Sequence, residues 1–277
     1  MHNLRTINAV EAVYGSEDPG QMLLDDPVES YHEASKLYRS RALRQTNAYL
    51  ITSNKNALVS TTRSAKRLDH RPRIALAPAQ FPDVSLGTLL ERRRSTQTFA
   101  SKAIGLEQLA TILFAAYGVT QRMPLGSGAG EQLFRTAPSG GALFPYDVFV
   151  AAHRVDGLES ALYWYDSREH ALVSVSPHSA TKALAAGCVY PQAIQTSAVT
   201  LLLSATFWRS RFKYRLRAYR FTLLEAGHVA QNALLAAEAL GLGALPLGGF
   251  YDADVDRLLG NDGVNEGVVY CIGVGVL

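Results

Sequence analysis

The chain has only two cysteines in 277 residues, Cys188 and Cys271, and neither has a His or Cys neighbour at metal-ligand spacing. That excludes a disulfide framework and a zinc site, and it makes a reducing cytoplasm the expected compartment. No apolar run reaches the roughly 18 residues that a membrane helix needs, and Met1-His2-Asn3-Leu4-Arg5 does not open a signal peptide. Charge is sparse and mixed: 18% of residues are charged and the formal net charge is +3, with no long basic tract. Small anionic ligands fit that balance better than a nucleic-acid surface. Repeats and low-complexity tracts are missing. So is the G-x-S-x-G elbow of a serine hydrolase, and Gly241-Leu242-Gly243 does not open a helix after a strand, as a dinucleotide fingerprint must. What is there, at 48% hydrophobic, is an ordinary globular composition, enough for one large domain or two small ones.

Three zones separate along the chain. Residues 1–80 are polar and weakly periodic, with turn signals at Asp18-Pro19-Gly20 and Asp26-Pro27, and read as an extension or wrapping arm. A linker-like stretch from Arg71 to Pro82 closes it, its prolines resisting helix and central strand. Residues 81–277 carry the folded domain. A helix is expected after Ser85, ending in Arg92-Arg93-Arg94, and a second from Leu106 to Tyr117 with Gly118 as its stop. Strands are expected at Asp147–Ala151, Ala161–Tyr165 and Ala198–Leu203, the last apolar on both faces. A long helix from about Tyr219 to Leu240 and a strand at Gly267–Ile272 follow. Strands interleaved with long helices make an α+β or α/β domain with helices packed on a central sheet.

Three segments carry chemistry. Lys213-Tyr214 sets two proton-transfer groups side by side, and five basic residues lie between Arg211 and Arg220. Neighbouring cations ease loss of a proton, so both groups are expected to titrate lower than usual. Arg92-Arg93-Arg94-Ser95-Thr96-Gln97 offers guanidinium forks and hydroxyls together, suited to a phosphate and a polyol chain. Arg135-Thr136-Ala137-Pro138-Ser139-Gly140-Gly141-Ala142-Leu143-Phe144-Pro145 lets backbone approach a flat ligand closely. On the long helix, Glu225, His228 and Asn232 are expected to share a face, with Glu225 and His228 as a buried polar pair. Phe207 and Trp208 are placed to shape a substrate pocket, whereas Tyr163, Trp164 and Tyr165 read as strand packing.

In this order the segments resemble the SagB-type, azoline dehydrogenase branch of the nitroreductase superfamily. Glu225-Ala226-Gly227-His228 and Leu247-Gly248-Gly249-Phe250 add to the likeness, which runs from about Tyr31 to the C-terminus. The resemblance implies an α+β nitroreductase-like fold, with a mostly antiparallel central sheet flanked by helices, in an intertwined homodimer. It implies FMN as cofactor and no metal. Arg93, Arg94 and Ser95 would hold the phosphate and ribityl chain, and Pro138, Ser139 and Gly140 would lie on the isoalloxazine, from the partner subunit. Leu247, Gly248 and Gly249 would present backbone near flavin N5, and Lys213 and Tyr214 would be catalytic, with Tyr214 as phenolate the first choice of base. Gln97 stands where the family usually has a cation. The chain also lacks the family's basic tail, for which Arg217 or Arg220 would substitute.

The implied reaction is oxidation of a thiazoline or oxazoline to the azole in a heterocyclised peptide or carrier-bound substrate. A cyclodehydratase or synthetase is the implied partner, with no nucleic acid or membrane. Two alternatives stand: an NAD(P)H-dependent reductase of nitro compounds, quinones or activated alkenes, and a non-catalytic flavin-fold scaffold of a peptide-modifying complex.

Overall fold

The computed structural model describes residues 27–37, 68, 70–125 and 130–277. Most of the expected N-terminal arm, including the turn at Asp18-Pro19-Gly20, lies outside the described residues. The elements run α1 (Pro27–Ala34), β1 (Arg73–Ala75), α2 (Leu86–Arg92), β2 (Ile104–Gly105), α3 (Leu106–Tyr117), β3 (Val119–Pro124) and β4 (Glu131–Arg135). After a short 3-10 turn come β5 (Tyr146–Ala152), β6 (Val155–Asp156), β7 (Leu162–Asp166) and β8 (Ala171–Ser176). Next are α4 (Thr181–Ala186), α5 (Pro191–Thr196), β9 (Val199–Thr206), α6 (Trp208–Tyr214) and α7 (Arg217–Ala239). The chain closes with β10 (Leu242–Leu247), α8 (Asp252–Leu259) and β11 (Glu266–Val276).

Seven strands form the central sheet in the order β1-β8-β7-β5-β9-β11-β10, and every neighbouring pair is antiparallel. This is the expected α+β architecture. The stretch expected to be a linker contributes the short edge strand β1, and its prolines, Pro72, Pro78 and Pro82, all lie outside that strand.

The apolar pattern follows from two covered faces. In β5, Val148 and Val150 join the core under α3 and α7, while Phe149 and Ala151 join the core under α4, α5 and α8. In β9, Leu201 and Leu203 face the first cluster and Leu202 the second. A continuous apolar run is usually the mark of a parallel strand, but here an antiparallel strand is buried on both faces and reads the same way.

Helix α3 is held by Leu109, Ile112, Leu113 and Ala116, all fully buried. It stops at Gly118, but not through left-handed backbone, since Gly118 has φ −65°. The glycine is needed for room: a Cβ there would sit 2.4 Å from the Phe114 ring and 2.6 Å from the Phe114 carbonyl oxygen. Gly118→Ala should therefore destabilise the fold by about 1–3 kcal/mol, read as a lower denaturation midpoint, because the backbone contact cannot relax cheaply.

Among the described residues, two neighbouring helices expose large apolar side chains. Tyr219, Leu223 and Leu224 of α7, with Leu86 and Leu90 of α2, are exposed, and α2 buries no residue at all. No helix among the described residues is long and apolar enough to cross a membrane.

Candidate active site

Lys213 and Tyr214 sit on the last turn of α6, not in a loop. Strand β9 ends at Thr206, Phe207 caps the short helix, and Arg215 breaks it with φ +50° before α7 begins. One turn before Lys213, Arg209 donates to Asp147 of β5 at 2.8 Å, and both side chains are at least nine-tenths buried. Trp164 Nε1 donates to the other oxygen of Asp147 at 3.2 Å. The ion pair thus pins the helix that carries Lys213 to the central sheet. Sequence reasoning read Asp147 only as the start of a strand, since nothing near it in the chain announces a partner 62 residues away.

Both polar tips converge on one backbone position. A Cβ on Gly141 would lie 2.5 Å from Tyr214 Oη and 2.7 Å from Lys213 Nζ. Tyr214 is half-buried, edge-on to Phe221 with ring centroids 5.0 Å apart, and Lys213 is only 5% exposed. Burial pushes the Lys213 ammonium below its ordinary value, as expected in direction. It pushes the Tyr214 phenol up, against expectation. The reason is where the cations point. Arg211 lies over the Trp208 ring at 5.1 Å, Arg217 donates to the Ser35 carbonyl at 3.0 Å, and Arg220 donates to the His32 carbonyl and the Ser35 hydroxyl. Arg217 and Arg220 therefore hold the end of α1.

The loop from Pro138 packs on this pair. Gly140 lies against Phe221, where an added Cβ would meet the ring at 3.3 Å. Gly141, Ala142 and Phe144 all have positive φ (66°, 54° and 47°), a costly conformation for the two that are not glycine. Ser139 Oγ accepts the Phe144 N–H at 2.9 Å. Behind the loop, Glu225 of α7 is 3% exposed and accepts the Tyr117 hydroxyl at 3.0 Å. Burial pushes its carboxyl up to about 7, opposed by the nearby hydroxyls of Ser139 and Tyr117 and by Arg135. The Arg135 guanidinium lies over the Tyr117 ring at 4.4 Å.

His228 is not its partner. The buried positions of α7 include Thr222, Glu225, Ala226, Val229 and Ala233, so the covered face continues four residues on from Glu225, and His228 turns to solvent. The signal was present in the sequence as the spacing of the alanines and Val229, and the i+3 choice missed it.

The other expected ligands gather elsewhere. Arg93 caps α2 and is partly buried, while Arg94 bends back to the carbonyls of Glu91 and Arg93 at 2.9 and 2.8 Å. Ser95 then bridges Ala244, and Thr96 N–H donates to the Ala244 carbonyl at 3.0 Å, so the segment runs along β10. This carries Gln97 to a cavity of about 550 Å³ that it shares with Thr98, Tyr190, Leu247, Gly248 and Gly249. Gly248 faces open space, and Gly249 meets only Val189, at 3.4 Å from an added Cβ. An open glycine floor in a cavity of this size suits a flat, mostly apolar ring system.

Strand register separates the two groups. Leu247 pairs with Cys271, Cys271 with Leu202, and Leu202 with Phe149. Three strand spacings, about 14 Å, therefore lie between the glycine floor and β5, whose leading loop carries Ser139 to Gly141. One chain brings Lys213, Tyr214 and the Pro138–Gly141 loop together, and gathers Gln97 with Leu247–Gly249, but does not join the two sets. Phe207 lines a groove of about 440 Å³ beside α6, with Tyr31, Arg211, Tyr219 and Val268. Trp208 is exposed and donates to Asn265 at 2.8 Å. No cluster of His, Cys, Asp and Glu among the described residues could hold a metal ion.

Comparison with known proteins agrees with the fold. A Methanocaldococcus jannaschii protein, MJ1384, named as a nitroreductase, is 34% identical over 183 residues, 65% of this chain and 88% of its own length. The trifolitoxin-processing protein TfxB of Rhizobium leguminosarum bv. trifolii is 36% identical over 118 residues, which are 41% of this chain and 32% of TfxB. The microcin B17-processing protein McbC of Escherichia coli is 30% identical over 135 residues, 46% of this chain and 49% of McbC. Among solved structures, a nitroreductase from Anabaena variabilis superposes with a TM-score of 0.61 at 27% identity, over 89% of this chain and 45% of that one. A chain of the E. coli microcin synthetase McbBCD complex superposes with a TM-score of 0.57 over 97% of both chains, at 22% identity, a likeness of fold. The profile of the nitroreductase family matches residues 90–276. With that match spanning most of the chain, and the antiparallel sheet and flanking helices beneath it, the chain belongs to the nitroreductase family.

Proposed function

We propose that this chain is an FMN-dependent dehydrogenase that oxidises thiazoline or oxazoline rings to azoles in a heterocyclised peptide. The observation that carries the reading is the convergence of Lys213 Nζ and Tyr214 Oη on Gly141, in a position where burial drives the lysine towards its neutral form. A reductase that takes protons from water has little use for such a pair. Similarity to two proteins named for processing trifolitoxin and microcin B17 supports a peptide substrate.

The residues divide the work. Arg93 and Ser95 would bind the phosphate and ribityl chain, with Arg94 beside them. Gln97 and the Leu247–Gly249 backbone would border the ring, and Gln97 offers hydrogen bonds there without charge. When bound, FMN supplies the acceptor for the hydride that leaves the substrate ring. Lys213, neutral, takes the proton from the adjacent carbon, and Tyr214, kept protonated by burial, donates a hydrogen bond to the substrate. Assigning the base to Lys213 reverses the first choice made from sequence, for the reason given by the two opposite shifts.

Because one chain keeps the glycine floor and the Ser139–Gly141 loop apart, a second copy would complete the site. The exposed apolar side chains Leu223, Leu224, Leu86 and Leu90 of α7 and α2 support a homodimer. The purified protein should be yellow, release FMN on denaturation, and convert an azoline peptide to a product lighter by two hydrogens. A colourless protein, or a flavoprotein inert towards azolines, would sink the proposal. The reductase alternative draws on the 88% coverage of MJ1384. Fast bleaching of the flavin by NADPH without an azoline would favour it.

A further inference from the structure

Gln132 lies on β4, opposes Met123 of β3, and is only 8% exposed. Its carboxamide meets two backbone carbonyls: Nε2 donates to Leu133 O at 3.1 Å and to Ala142 O at 3.1 Å. A carbonyl oxygen only accepts, so the nitrogen end of the amide has to face this pair, with both of its protons engaged. The second carbonyl belongs to a strained residue. Ala142 has φ +54°, with Gly141 at +66° before it and Phe144 at +47° after it. A residue that carries a Cβ stays left-handed only where its surroundings hold it. Ser139 supplies a local part of that hold, its carbonyl accepting the Ala142 N–H at 3.1 Å and its hydroxyl the Phe144 N–H at 2.9 Å. Gln132 reaches in from the hairpin, ten residues earlier. The hairpin is itself anchored to α3, since Arg135 donates to the Tyr117 carbonyl and the Thr136 N–H to the Gly118 carbonyl, both at 3.0 Å.

We propose that Gln132 is a positioning residue: by holding the Ala142 carbonyl it keeps the Gly141–Ala142 turn left-handed, and so keeps Gly141 in close contact with Lys213 Nζ and Tyr214 Oη. The consequence for catalysis rests on the reading of Lys213 and Tyr214 as the proton-transfer pair; the hold on the loop does not.

Ala142 follows Gly141 directly, so a rotation of its backbone swings the Gly141 peptide. An added carbon on Gly141 would lie 2.5 Å from Tyr214 Oη and 2.7 Å from Lys213 Nζ, so the turn and the two polar tips are already at contact. A shift of about 1 Å in the turn is enough to change how the tips are placed and covered. Gln132→Met keeps the length of the side chain and its place in the interior, and removes both donors. Without them, Ala142 loses the contact that offsets its left-handed strain, and the turn relaxes away from Lys213.

The test is acylation of the purified full chain by acetic anhydride across the alkaline range, with Lys213 followed by peptide mass spectrometry against exposed Lys102. At the alkaline plateau, where Lys213 is neutral in both proteins, Gln132→Met should raise its relative rate about fivefold, the population change for one lost hydrogen bond. The pH of half-maximal rate should rise as well, because burial is what holds the Lys213 ammonium below its ordinary value. Rescue separates a hold on Ala142 from mere filling of space. Glycine enters the left-handed region without penalty, so Ala142→Gly added to Gln132→Met should recover about half of the change on a logarithmic scale. On its own, Ala142→Gly should alter Lys213 reactivity by less than about twofold. Should Gln132→Met not fold, the wild-type protein still carries a test by nuclear magnetic resonance. The Gln132 carboxamide protons should exchange at least about tenfold more slowly than those of exposed Gln121. Unchanged acylation of Lys213 in a folded Gln132→Met, absence of rescue by Ala142→Gly, or Gln132 protons that exchange as fast as those of Gln121 overturns the proposal. None of these readouts uses flavin turnover, so a chain that oxidises no azoline would still show the hold, and a failed hold would leave the dehydrogenase reading untouched.

Discussion

Lys213→Ala should retain FMN and lower the rate of azoline oxidation by about a thousandfold, the range expected for loss of a positioned general base. Lys213 reaches Gly141 through Nζ and Cε, and its Nζ lies 5.4 Å from the centre of the Tyr214 ring. Tyr214→Phe keeps the ring against Phe221 and removes one hydroxyl, so its loss should be nearer tenfold to a hundredfold. Lys213→Arg should not rescue activity, because a guanidinium stays charged and cannot accept the proton. The pH profile separates the two bases. A lysine base works when neutral, and burial lowers its titration, so the wild-type rate should climb with pH and flatten on the acid side of the ordinary lysine value. That limb should disappear in Lys213→Ala, read on the slow residual rate. If Tyr214→Phe proves the dead variant and Lys213→Ala keeps the limb, the base is the phenol and the assignment fails.

The architecture was largely legible in the sequence because its signals are local. The continuous apolar run Val148-Phe149-Val150-Ala151, and the 3.6-residue stripe of Leu109, Ile112, Leu113 and Ala116, announce their elements without reference to the rest of the chain. Charge state was not legible. A run of five cations near Tyr214 predicts an easily ionised phenol only if the cations share its surroundings, and Arg211, Arg217 and Arg220 each point to other groups. Burial, which sequence gives poorly for a basic segment, sets the direction for both members of the pair. Glu225 was visible as a helix carboxylate, but its partner Tyr117 lies 108 residues away along the chain, and only packing brings the two together. The same holds for Arg209 and Asp147. Long-range polar pairing was the part that composition and spacing could not reach.

Gly141→Ala should split stability from activity more sharply than any other single change in the site. The new methyl would meet no backbone within the closest contacts. It would meet the flexible ends of Tyr214 and Lys213, at 2.5 and 2.7 Å from its carbon. Those ends can move aside at small cost, and the positive φ of 66° adds strain of about 1–2 kcal/mol. The melting temperature should fall by roughly 2–8 °C. Activity should fall by about a hundredfold, because a displacement of about 1 Å in two proton-transfer groups spoils alignment with the substrate carbon. Gly118→Ala makes the opposite case: its methyl strikes the ring and backbone carbonyl of Phe114 and neither Lys213 nor Tyr214, so it should cost stability while turnover per folded molecule stays near wild type. The pair of variants therefore asks whether Gly141 is glycine for the fold or for the chemistry. Equal losses of stability with unchanged turnover in both would mean that the loop merely covers Lys213 and Tyr214. A dead but folded Gly141→Ala enzyme, still yellow, would mean that the close approach of Lys213 and Tyr214 to Gly141 is what the chemistry requires.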